Sequence, residues 1–142
     1  MMLTFTFPVE STTLARIGEV VRETGIKAGF NEEEIGDIQL AVDEACTNTI
    51  LHGLKSDPNR NFELAVEWQR HEIVIYIKER GEPFELSKVK KVDIAAPLEA
   101  REIGGLGIHF IYQLMDEVDY RTEEDGLKVF RMVKRKKSAS AC

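Results

Sequence analysis

Cysteine is scarce in this chain: its 142 residues include two, Cys46 and Cys142. One pair of thiols, one of them the last residue, cannot build a disulfide framework, so reduced thiols are expected. No apolar stretch approaches the ~20 residues that a membrane-spanning helix needs. The first residues show no basic region followed by an apolar block, which points away from a secretory leader and toward the cytoplasm. An excess of positive charge is missing too. Lys plus Arg number 19 against 25 Asp plus Glu, a formal charge of −6, and the pI is near 5.2. That balance speaks against direct nucleic-acid binding. The one basic run, Lys134-Arg135-Lys136-Lys137, precedes Ser138-Ala139-Ser140-Ala141 and reads as the root of a solvated tail, set at residues 135–142.

What is present suits one globular domain over residues 1–134. Hydrophobic residues make up 43% and charged residues 31%, and a chain of this size buries enough surface for a core. Leu3, Phe5 and Phe7 alternate with Thr4 and Thr6, a strand stopped by Pro8. Ser11 offers an N-cap for a helix over 12–27, with Leu14, Ile17, Val21 and Ile26 on its apolar side. Asn31 with Glu34 reads as a capping box opening a long helix over 32–52, with Gly53 as its stop. Residues 62–68 and 73–78 form a hairpin. Residues 79–104 have little periodicity, and a loop this long in a compact domain is usually functional. A helix over 106–115 and strands over 118–120 and 127–133, turning at Asp125-Gly126, complete the chain. The order β-α-α-β-β-loop-α-β-β predicts an α+β fold, a two-layer sandwich with helices on one face of a mostly antiparallel sheet.

Three places carry chemistry. On the helix over 32–52, Ile35, Ile38, Val42, Ala45, Cys46 and Thr49 form a stripe about 80–100° wide that should face the sheet. Asp37, Ala41, Glu44 and Asn48 fall on another arc, roughly opposite, with Leu40 and Leu51 beside them. Glu44 and Asn48 are four residues apart and project together. A carboxylate there can accept a proton, and an amide oxygen suits Mg²⁺; taken alone, the pair also reads as a solvated surface. Glu79-Arg80-Gly81 follows an apolar strand. Its carboxylate can accept from an exocyclic amine, and its glycine lets a flat ring approach; a plain strand end is the other reading. Gly104-Gly105-Leu106-Gly107 precedes a helix, where free backbone N–H groups and the helix dipole form a phosphate cradle; a hinge is the alternative. No P-loop Lys-Ser/Thr pair follows. A single nucleotide needs all three places, and they occur in a consistent order.

With these boxes the chain resembles the GHKL ATPase superfamily, and within it the anti-sigma-factor serine/threonine kinases of bacteria. The matching residues are Glu44-Ala45-Cys46-Thr47-Asn48 continuing to His52-Gly53, then Glu79-Arg80-Gly81-Glu82-Pro83-Phe84, then Gly104-Gly105-Leu106-Gly107-Ile108 with Leu114-Met115-Asp116-Glu117-Val118 after it. The resemblance implies a histidine-kinase-like ATPase fold with a mixed sheet under helices, and an ATP-dependent protein kinase. It implies Mg²⁺ on Asn48 and a base role for Glu44. It implies nucleotide contacts at His52, Glu79, Gly81 and along Gly104, Gly105, Leu106, Gly107 and Ile108, beneath a lid over 82–103. Arg101 is a candidate for the γ-phosphate, and Arg16 on the first helix for partner contact. Relatives phosphorylate a serine of a STAS-domain anti-anti-sigma protein, or hold a sigma factor inactive, and they often dimerise. Three positions depart from the pattern. Glu79 replaces the usual Asp, Ile103 stands where some relatives carry Arg, and Leu127-Lys128 stand where a Thr is common. These departures bring in an alternative, an ATP-gated binding module with little kinase activity. Cys46 and His109 read as packing residues, His71 as a solvated turn residue, and Trp68 and Tyr76 as sheet residues.

Overall fold

A computed structural model describes residues 1–80 and 105–137, with all side chains among them except those of 105–107. The elements are β1 (Met2–Pro8), α1 (Thr13–Lys27), α2 (Glu32–Asn48) running into a π-helical turn (Thr49–Gly53), β2 (Asn61–Trp68), β3 (Glu72–Glu79), α3 (Gly105–Leu114), β4 (Glu117–Thr122) and β5 (Lys128–Arg135). The strands form one sheet in the order β1-β2-β3-β5-β4. Each of the four pairings is antiparallel, and no parallel pair occurs among the described residues. None of the described helices is long and apolar enough to cross a membrane.

Period-two alternation sets which residues meet the helices. Leu64 and Val66 of β2, Ile73, Ile75 and Ile77 of β3, and Phe130 and Met132 of β5 join Ile17, Val21, Ile35, Ile38 and Val42 of the helices in one core. The opposite sheet face is covered by long charged side chains instead. Ala65, Val74, Val129 and Val133 are buried there, beneath ion pairs such as Arg131–Asp119 at 2.9 Å and Lys78–Glu63 at 3.9 Å. The aliphatic stems of Lys and Arg can cover apolar surface in this way while their charges stay in water.

Local chemistry fixes the element ends. Asn31 and Glu34 form the expected capping box: Glu34 N donates to Asn31 Oδ1 at 2.8 Å, and Asn31 N donates to Glu34 Oε1 at 3.0 Å. Gly126 takes φ +88° at the β4–β5 turn, a left-handed conformation that glycine adopts without strain. Three expectations are corrected. α1 is capped at Thr12 rather than Ser11, with no side-chain cap bond, and Thr13 Oγ1 donates back to Pro8 O at 2.7 Å instead. Ile26, expected on the apolar side, is 54% exposed. The basic run does not begin a solvated tail. Lys134 is buried, donating to Leu114 O at 2.6 Å and lying 3.5 Å from Asp37 Oδ2. Arg135 ends β5, Lys136 Nζ donates to Arg70 O at 2.9 Å, and Lys137 N donates to Glu34 Oε2 at 3.0 Å. Residues 135–137 therefore belong to the folded unit; 138–142 lie outside the described residues.

Candidate nucleotide site

The arc of α2 that carries Asp37, Ala41, Glu44 and Asn48 is not the solvent side of the helix. Ala41 and Asn48 are both buried, because α2 packs against α1 and α3 as well as the sheet. Burial gives Asn48 a particular problem. Its amide nitrogen Nδ2 has no hydrogen-bond partner among the described residues, and an unpaired buried donor costs about 1–3 kcal/mol. Asn48 lines a small cavity together with Ala45, Thr49, Gly53, Glu79, Tyr120 and Phe130.

The cavity joins two boxes that are far apart in sequence. Glu79 ends β3, is buried, and pairs at the backbone with Lys128 of β5. Gly53 closes the π turn against its carboxylate: a Cβ at Gly53 would stand 3.1 Å from Glu79 Oε1 and 3.3 Å from Cδ. The absence of a side chain is what permits this approach. The turn itself is wider than an α-helix, since Leu54 N donates to Thr49 O at 2.8 Å and Ser56 N donates to Ile50 O at 2.8 Å. Such π turns frequently occur at functional sites. Tyr120 and Phe130, paired across β4 and β5, supply an apolar wall with their rings 6.1 Å apart.

Glu44 lies one helical turn before Asn48, half-buried and outside the cavity lining. Loss of solvent pushes its carboxyl above the ordinary range, and the charge of Asp43 adds to the shift. A carboxylate made more basic is a better proton acceptor. Cys46 is fully buried and its thiol is pushed upward by that burial, which makes it an inert packing group. His109 Nε2 is a second buried nitrogen without a partner among the described residues.

The remaining candidates fall into three groups. Gly81, Arg101 and Gly104 lie outside the described residues. Gly105, Leu106 and Gly107 form the first turn of α3, where free N–H groups and the positive end of the dipole favour an anion. Ile108 is buried in the core. His52 is exposed on the π turn and does not line the cavity. Arg16 is exposed, with its guanidinium 5.4 Å from the Phe7 ring centre.

Among the described residues no group of three or more His, Cys, Asp or Glu is placed to hold a metal. One amide oxygen is a poor site for a free ion but a fitting single ligand for Mg²⁺, which takes its other ligands from phosphates and water. The residues present therefore fit a metal that arrives with a nucleotide. Ala45, Thr49, Gly53, Tyr120 and Phe130 line the cavity without having been assigned as site residues from the sequence; Ala45 and Thr49 were read as sheet-facing, and Gly53 as a helix stop at the end of the first box.

Residues 7–134 match the profile of the histidine kinase-like ATPase domain. The chain belongs to that family, in its GHKL branch of anti-sigma-factor serine/threonine kinases. It is 30% identical over 123 residues to the serine-protein kinase RsbW of Bacillus cereus (strain AH187), covering 82% of this chain and 75% of that protein. RsbW of Bacillus thuringiensis (strain Al Hakam) is 28% identical over the same length, with the same coverage. Among solved structures, the RsbU and RsbW domains of Rv1364c from Mycobacterium tuberculosis superpose with a TM-score of 0.66 at 16% identity, over 95% of this chain and 32% of that one. The SiaB–SiaC complex from Pseudomonas aeruginosa gives 0.60 at 19% identity, over 94% and 89%. Both show a shared fold.

Proposed function

We propose that this chain is a serine kinase that uses Mg-ATP to phosphorylate a serine of a STAS-domain anti-anti-sigma protein. It exchanges that partner for a sigma factor or a similar regulator, which it holds inactive. The convergence of Asn48 and Glu79 on one cavity, with the buried Asn48 amide nitrogen unpaired among the described residues, carries this reading. Polar groups are left unsatisfied in a core at a cost, and a ligand that pairs them removes it.

In this reading Glu79 accepts from the exocyclic amine of adenine and Asn48 contributes one amide oxygen to the metal. Mg²⁺, when bound, neutralises phosphate charge. The N–H groups of the first turn of α3 hold the phosphates. The serine oxygen forms a bond to the γ-phosphorus as the bond to the β-phosphate oxygen breaks, releasing ADP. Glu44 takes the hydroxyl proton, and its raised pKa supports that role. The protein supplies positioning and charge stabilisation rather than covalent chemistry.

A second reading, an ATP-gated binding module with little transfer, is favoured by the packing of Glu79 against Gly53, where the family's shorter Asp would leave more room. Calorimetric titration with ATP, with and without Mg²⁺, followed by transfer of labelled γ-phosphate to a STAS-domain protein, separates the two. Mg²⁺-dependent binding with a labelled serine is the expected result. Binding without transfer leaves the second reading, and absence of nucleotide binding removes both.

A further inference from the structure

The face of α2 that carries Glu44 also borders a groove against α1. This groove has a volume of about 350 Å³ and is lined by Leu14, Ile17 and Gly18 of α1 and by Gly36, Leu40 and Asp43 of α2. Gln39 Nε2 donates to Gly18 O at 3.0 Å and ties the two helices together beside it.

Gly18 and Gly36 sit inside helices, where glycine is less favourable than alanine. Neither has a positive φ. A Cβ placed on either would meet nothing within 4 Å. The fold therefore does not require glycine at these positions for backbone freedom or for close packing, yet their absent side chains keep the groove open. At its edge Leu40 is an apolar side chain 47% exposed. Asp43, exposed, and Glu44, half-buried, make the neighbouring rim acidic.

We propose that this groove seats an apolar side chain of the phosphoacceptor protein, with a basic residue beside it, and so lays the acceptor serine on Glu44. The inference rests on the kinase reading. Two observations argue for this occupant. Continuity is the first: Leu40 lies four residues before Glu44 on the same helix face, about 6 Å along the axis. In an extended acceptor segment, side chains two residues apart on one face are about 6.6 Å apart. A serine at Glu44 thus places the residue two positions away over Leu40 and the groove. Charge is the second, since an acidic rim beside an apolar floor suits an apolar residue flanked by Lys or Arg.

The test fills the groove in the full chain with the double variant Gly18→Ala, Gly36→Leu. Transfer of labelled γ-phosphate is measured to a panel of STAS-domain proteins, with ATP affinity and thermal unfolding alongside. The expected result is a KM for the acceptor raised about tenfold or more, kcat and ATP affinity within about twofold, and a Tm raised by about 2–4 °C. Leu40→Ser, at an exposed position, should raise KM about fivefold with Tm unchanged. An unchanged acceptor KM in the filled variant overturns the proposal. So does a KM change accompanied by a lowered Tm in both variants, which would trace the effect to damaged helix packing. Sedimentation of the native and filled chains covers the remaining occupant: loss of a dimer with KM unmoved would assign the groove to a second copy of this chain. If the native chain binds Mg-ATP but labels no member of the panel, the kinase reading falls and this inference falls with it.

Discussion

At its N-terminal end, α2 is closed by reciprocal hydrogen bonds between Asn31 and Glu34, and the buried Glu34 carboxylate also accepts from Lys137 N. Arg22 adds two bonds to Glu32, at 3.0 and 2.9 Å. At its C-terminal end the same helix widens into a π turn, holds a buried amide nitrogen with no partner among the described residues, and carries a half-buried carboxylate whose charge the surroundings disfavour. The first end is satisfied within the chain. The second has unmet demands of the kind a ligand supplies, and stability is given up there for readiness to bind.

Substitutions at the two ends should therefore separate stability from activity. The largest effect is expected from Glu44→Gln, which should lower phosphotransfer by about 10²–10⁴-fold while ATP affinity holds. Single-turnover kinetics check this, and an unaltered rate would remove Glu44 from the chemistry. Its pH dependence has a definite sign. Glu44 must be ionised to accept a proton, and its pKa is raised, so the rate should start to fall at a higher pH than an ordinary carboxylate (about 4.3) would give. The same shift means that ionising Glu44 opposes folding. Stability from its neutral form is full at low pH and is lost as pH rises through its folded-state pKa. Glu44→Gln should therefore raise Tm at neutral pH and leave it unmoved in acid.

Asn48→Ala comes next, with about a 100-fold loss of Mg-ATP affinity and no loss of Tm, because an orphaned donor is removed along with the ligand atom. Equal calorimetric affinity would refute the ligand assignment. Gly53→Ala, whose Cβ would press on Glu79 at 3.1 Å, should weaken nucleotide binding about tenfold and cost about 1–3 kcal/mol in denaturant melts. The smallest effect belongs to the other end: Asn31→Ala should cost about 1 kcal/mol of stability and leave ATP binding unchanged. If Asn31→Ala instead disturbed binding as much as Asn48→Ala, the contrast between the ends would be lost.

Much of this was readable from residue order, and the failures have physical causes. The Asn31–Glu34 cap and the hairpin of β2 and β3 are local, so spacing alone revealed them. The burial of Asn48 was not readable from α2, because the residues around it come from distant parts of the chain, Glu79, Tyr120 and Phe130. A helical wheel assigns faces but not neighbours. Lys134 was read by its charge as the first residue of a solvated basic run, although alternation with Phe130 and Met132 already put it on the inward face of β5. The open groove has no signal within either helix alone, because Gly18 lies on α1 and Gly36 on α2 and only their packing brings them together. The pairing of Glu79 with Gly53 depends on a π turn, for which the sequence offers no periodic signal.

The position of β5 has a consequence for how the molecule comes into being. β5 follows β3 and β4 in the chain but lies between them in the sheet, so a nascent chain lacking it holds two unjoined pieces of sheet. Lys134, which anchors the end of α3 through Leu114 O, arrives at the same late moment. Long-range pairings of this kind are slow and leave strand edges exposed until they close. The growing polypeptide should thus be unable to grip a nucleotide, and most vulnerable to proteases and aggregation, until β5 clears the ribosome.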